Sequence, residues 1–122
     1  MINVKDQIYT ALQGVCENVS DIYPQTTSVF PAIQYTEEAN NVYEKTDMNT
    51  EQLSYLRYRI DIWNTGSTSQ LALDVDAAIS ALGLVRTTCQ DVADPRGLRQ
   101  KQMRYEGIID VNSEMVYWEG SR

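Results

Sequence analysis

The residues with chemical potential in this chain are few, and their spacing keeps them apart. Cys16 and Cys89 are the two thiols, and histidine is absent. A cysteine nucleophile needs an activating base beside it. Histidine is the commonest such base and the commonest nitrogen ligand for zinc. Both cysteines therefore read as core or half-buried residues. With no CxxC spacing, two free thiols or a single disulfide both fit. Carboxylates occur in close pairs at Glu37-Glu38, Asp74/Asp76 and Asp91/Asp94. Neighbours on a strand, or residues two apart on a helix, point in different directions, so these pairs do not converge. None follows a calcium-loop pattern, and the six glycines are too scattered for a phosphate loop. Arg96, Arg99, Lys101 and Arg104 form a basic run flanking a turn, which reads as a solvated hairpin edge. These patterns assign no catalytic residue, metal ligand or cofactor, and point to a binding or structural module.

The elements that would carry these side chains are organised around residues 53–82, a long strand pattern running through a turn into one helix. Leu56, Tyr58, Ile60 and Ile62 alternate with Tyr55, Arg57, Arg59, Asp61 and Trp63, the pattern of a strand with one buried face. Asn64-Thr65-Gly66-Ser67 breaks it. Ser67 and Gln70 have capping-box spacing, in which the hydroxyl and the amide each satisfy a free helical N–H. Leu71, Val75, Ala78, Ile79 and Leu82 then recur at helical spacing, and Gly83 suits the helix stop.

Upstream, Val4, Ile8, Leu12, Val15, Val19 and Ile22 predict a first amphipathic helix over about residues 3–19. The sequon Asn18-Val19-Ser20 falls on that helix and reads as chance. Residues 32–37 read as a short strand. The polar stretch 37–52 reads as a hairpin whose tip, near 44–50, projects from the body and is mobile in the free chain. Residues 84–92 and 98–111 are further strands, joined by an Asp94-Pro95-Arg96-Gly97 turn, and 115–118 could form a last short one. The order is α-β-β-β-α-β-β, with 115–118 as an optional last strand. Short turns imply antiparallel pairing, and two single-striped helices must share one sheet face. The expected fold is an α+β two-layer sandwich, an antiparallel sheet of four to five strands with two helices on one face. At 122 residues it is a single domain, 1–122.

Composition narrows the partners. A net charge of −7 argues against specific nucleic-acid binding and against attraction to an anionic membrane. No run of about 20 apolar residues predicts a membrane span. The opening residues lack a basic stretch followed by an apolar core, so no signal peptide is expected. The sheet face away from the helices should be uncovered. It would carry Tyr55, Arg57, Arg59, Asp61 and Trp63 beside Gln102, Arg104, Glu106, Ile108 and Asp110. Such a face is either solvated and held by cross-strand ion pairs, or a subunit interface rich in Trp and Arg.

The order of motifs resembles the tail-completion family of long-tailed bacteriophages, also called tail terminator or tail-to-head joining proteins. The resemblance rests on Tyr23-Pro24 after the first helix and on Pro31-Ala32-Ile33-Gln34-Tyr35. It continues with Ile60-Asp61-Ile62-Trp63 leading through a Ser/Thr turn into a helix near a glycine, then Asp94-Pro95 and Arg104-Tyr105. It spans about residues 8–110. It implies a non-enzymatic protein without cofactors, forming a ring, commonly hexameric. The ring caps the tail tube and docks to the head connector. Partners would be the tail tube protein and head-connector proteins, and the location the tail–head junction of the virion after assembly in the host cytoplasm. The alternatives are another neck component, such as a head-closure protein, or a small ligand-binding or enzymatic domain. A ring needs two different surfaces to meet on successive copies. An acidic hairpin carrying Tyr43, Glu44 and Met48, laid on a neighbour's face bearing Arg57, Arg59, Trp63 and Arg104, would supply them.

Overall fold

The structure, a computed structural model, describes residues 4–21, 30–45, 51–95 and 97–110. Its elements are α1 (Lys5–Gln13), β1 (Val19–Ser20), β2 (Ala32–Lys45), β3 (Glu51–Asn64), α2 (Ser69–Ser80), β4 (Val85–Ala93) and β5 (Arg99–Asp110). The strands form one sheet in the order β1-β2-β3-β5-β4. β2, β3, β5 and β4 pair antiparallel in turn, while β1 runs parallel to β2. The α+β sandwich stands, with the sheet mixed rather than wholly antiparallel.

Both helices pack on the face that alternation assigns to Leu56, Tyr58, Ile60 and Ile62. These residues join Ile8 and Leu12 of α1, Val75 and Ile79 of α2, and Met103, Tyr105 and Ile109 of β5 in one buried cluster. Gly107 lies on this face opposite Leu56, where a Cβ would come 2.5 Å from Leu84 Cδ2. Gly83 (φ 94°) ends α2, and Gly97 (φ 77°) closes the turn by donating its N–H to Asp94 O at 3.0 Å. Both positions use the left-handed backbone that glycine adopts at least cost.

Four local expectations are corrected. The first helix stops at Gln13, and Val15 and Cys16 both donate N–H groups to Leu12 O. Gly14 is costly inside a helix, and the edge of β2 offers Val19 an alternative: Ile33 N–H donates to Asn18 O at 2.9 Å. The four-residue step from Val15 to Val19 suits either outcome, so the sequon runs from Asn18 into β1 and is not on a helix. The capping box does not form. α2 begins one residue later than that spacing needs, with Thr68 as N-cap. Ser67 Oγ accepts from Ser69 N–H at 3.2 Å, and Gln70 Nε2 donates forward to Asp74 Oδ1 at 3.0 Å. The strand read over 32–37 continues to Lys45, paired with β3 as far as Lys45↔Glu51. The segments 46–50, 111–122 and 22–29 lie outside the described residues, and with them the hairpin tip, the strand read over 115–118 and the Tyr23-Pro24 motif.

The fourth correction concerns the face away from the helices. Ala32, Trp63, Leu53 and Ile108 lie on it by register, yet are only 1–6% exposed. None belongs to the helix-side cluster. This face is closed at both ends and open in its middle, because alternation assigns residues to faces without saying how much of each face the chain covers.

Candidate functional site: a carboxylate among three arginines

The open middle of that face is a polar network centred on Glu38, the residue without a cross-strand partner at a bulge in β2. The β2–β3 register slips between Glu37 and Ala39. A bulge of this kind inserts a residue and re-aims its side chain. Glu37 stays on the helix side, where its Oε1 accepts from Asn40 Nδ2 at 2.8 Å. There burial, and then the Glu37 carboxylate, push the Tyr58 phenol well above its ordinary range. Glu38 is turned to the other face and meets three arginines. Arg104 donates twice, Nε to Oε1 at 2.9 Å and Nη2 to Oε2 at 3.3 Å. Arg59 Nη1 donates to Oε2 at 3.4 Å, and Arg57 Nε forms an ion pair with Oε1 at 3.3 Å.

Pairing register explains why the carboxylate is needed. Arg59 lies directly opposite Arg104 across β3 and β5. Like charges so placed repel, and Glu38 accepts from both. Burial pushes the Glu38 carboxyl up. The Arg104 hydrogen bond and the charges of Arg104, Arg59 and Arg57 outweigh it and hold the group below its ordinary range.

The network continues through Asp61, whose side chain is 3% exposed. Its Oδ2 accepts from Arg59 Nε at 2.9 Å, and its Oδ1 from Gln102 Nε2 at 3.1 Å and Gln100 Nε2 at 3.4 Å. Arg57 lies opposite Glu106. Burial, then the hydrogen bond to Glu106, push the Tyr55 phenol up. Three arginines are thus balanced by Glu38, Asp61 and Glu106. Such a face fixes geometry and has no surplus charge with which to draw in an anion.

The expected site residues separate on this framework. Arg57, Arg59 and Arg104 come together, with side chains 41%, 30% and 29% exposed. Trp63 shares their face but is buried at 2%, out of reach of a partner in this conformation. Tyr43 and Glu44 sit on the β2 backbone with side chains outside the described part, and Met48 lies outside the described residues. Arg96 lies outside the described residues, and the described members of the basic run are not one patch. Arg104 belongs to the network, Lys101 pairs with Asp91 at 3.2 Å, and Arg99 lines a cleft of about 300 Å³ at the start of α2.

Two functional-looking residues escaped the sequence. Glu38 is the hub, and no periodicity marks a bulge. Asp76 of α2 accepts from the buried Tyr105 hydroxyl at 2.8 Å and pairs with Arg86 at 3.1 Å, pinning the helix to β5 and β4. Burial and then Asp76 raise the Tyr105 phenol far above its ordinary range. Cys16 is buried, with Sγ donating to Pro31 O at 3.4 Å, whereas Cys89 is exposed rather than half-buried, and both are free. Among the described residues no His, Cys, Asp or Glu group of three or more could hold a metal, and no helix is long and apolar enough to cross a membrane. Comparison with family models and with characterised proteins finds no match to this chain.

Proposed function

We propose that this chain is a tail-completion protein of a long-tailed bacteriophage or prophage. It assembles as a ring, six-fold by resemblance, caps the tail tube and joins it to the head connector. Its role is structural, not catalytic, and its place is the tail–head junction of the virion.

The observation that carries this reading is the seating of the motif residues in consecutive elements of one sheet. Pro31-Ala32-Ile33-Gln34-Tyr35 opens β2, and Ile60-Asp61-Ile62-Trp63 closes β3. The Ser/Thr turn leads into α2, Gly83 ends it, and Asp94-Pro95 turns the chain into β5. There Arg104 enters the network and Tyr105 the core. The balanced network supports a structural part. It ties the β2–β3 hairpin to β5, so that the hairpin keeps one direction relative to the body.

The test is a lysate of the encoding phage with this gene deleted. Unjoined heads and tails should accumulate, and adding the purified full chain should restore joined, infectious particles. Joined particles in the deletion lysate would overturn the reading.

A further inference from the structure

β4 ends the sheet and, among the described strands, pairs with β5 alone. An edge strand presents a row of unpaired N–H and C=O groups, a template for another strand. β4 is open on its faces as well. Its residues 86–91 are exposed without interruption, so neither side of the strand is covered. Val85, Thr87, Thr88 and Val92 favour a strand, and the segment has no proline or lysine to blunt it. Its register shift, between Arg86 and Thr88, touches only the first third. Its two charges are already engaged, Arg86 with Asp76 and Asp91 with Lys101.

Among the described strands the same sheet has a second open edge. β1 pairs with β2 only at Ile33 and Gln34, and no described strand lies outside β2 from there to Lys45. That stretch, 35–45, is long enough to pair with all nine residues of β4. The directions match too. β2, β3, β5 and β4 alternate along the sheet. A copy rotated about an axis parallel to the strands keeps every direction, so its β2 comes beside β4 antiparallel, with the helices on the same side. That relation joins two different surfaces and closes into a ring when the rotation divides a full turn.

We infer that β4 of one copy receives the 35–45 edge of β2 from the next, so that one sheet runs from molecule to molecule. The inference rests on the ring reading and names its interface. Cys89 lies on the helix-side face of β4, and residues 40 and 42 lie on the same face of β2. Centring the two edges on each other brings these positions together.

Val42→Cys and Asn40→Cys are made singly in the full chain and treated with a disulfide-forming oxidant. At least one should give a ladder of linked chains longer than two on a non-reducing gel, lost when Cys89→Ser is added. Thr88→Lys with Gln90→Lys, both exposed positions, should abolish higher oligomers in light scattering at an unchanged melting temperature. Wild-type protein that links through Cys89 and stops at two chains would overturn the inference in favour of two-fold β4–β4 pairing. Rings with no ladder from either variant would overturn the edge inference and leave the ring standing. A monomer under every condition would overturn both.

Discussion

Replacing Glu38 by glutamine keeps the side chain's size and removes the charge shared by three guanidiniums. Breaking a fully buried ion pair costs roughly 3–5 kcal/mol because an uncompensated charge remains, while exposed pairs are worth about 0–1 kcal/mol. Glu38 is 15% exposed and its partners 29–41%, so solvent screens the arginines but hardly the carboxylate. The directly opposed Arg59 and Arg104 then face each other without a bridge. An intermediate cost of about 1–3 kcal/mol follows. Urea unfolding at pH 7 measures it. Asp91→Asn, which breaks the Lys101 pair at an aspartate 81% exposed, is the control and should cost less than about 1 kcal/mol. The pH dependence has a definite sign. The folded Glu38 carboxyl is held below its unfolded value. Its contribution is therefore complete above the ordinary glutamate value of about 4.3 and is lost as pH falls through the lower folded value. The gap between wild type and Glu38→Gln should close in acid. A Glu38→Gln cost no larger than that of Asp91→Asn, or a gap unchanged down to pH 3, would refute the hub assignment.

Other substitutions test the body of the fold. Ile79→Ala empties a fully buried site on α2 and should lower stability by about 2–5 kcal/mol; an unchanged urea midpoint would refute its place in the core. Tyr105→Phe removes the donor to Asp76 and should cost about 1–3 kcal/mol, with faster amide exchange in α2 as the local readout. Cys89→Ser should change stability by less than about 0.5 kcal/mol, as surface substitutions do. Cys16→Ser, at a buried site, should be measurably destabilising. Neither should affect particle formation beyond its effect on stability, and loss of particles at unchanged melting temperature would point to thiol chemistry.

What could be read in advance depended on how strongly one period dominated. Leu56 to Ile62 and Leu71 to Ile79 each repeat over several turns or pleats, and both elements form with the expected faces buried. Val19 sits at a spacing that helix and strand satisfy equally, and hydrogen bonding to β2 decides it. In β4 the alternation was weak because neither face is covered. The three arginines were legible as one face from their phase. Their carboxylate was not, since Glu38 sits inside a register slip, between Glu37 and Ala39, and reads on paper as half of an adjacent pair that cannot converge. That reading is right about Glu37 and Glu38 pointing apart, and silent about what Glu38 would meet. Trp63 was placed on the correct face, but its burial depends on what covers the end of the sheet, which phase does not encode.

We propose that this chain closes the end of a tail tube, and one reconstitution tests it. Tail tubes from the gene-deleted lysate, incubated with the purified full chain, should show in negative-stain electron microscopy a ring of added density at one end only. They should then join heads from the same lysate. Bare tube ends at saturating chain, or density distributed along the tube, would contradict the account.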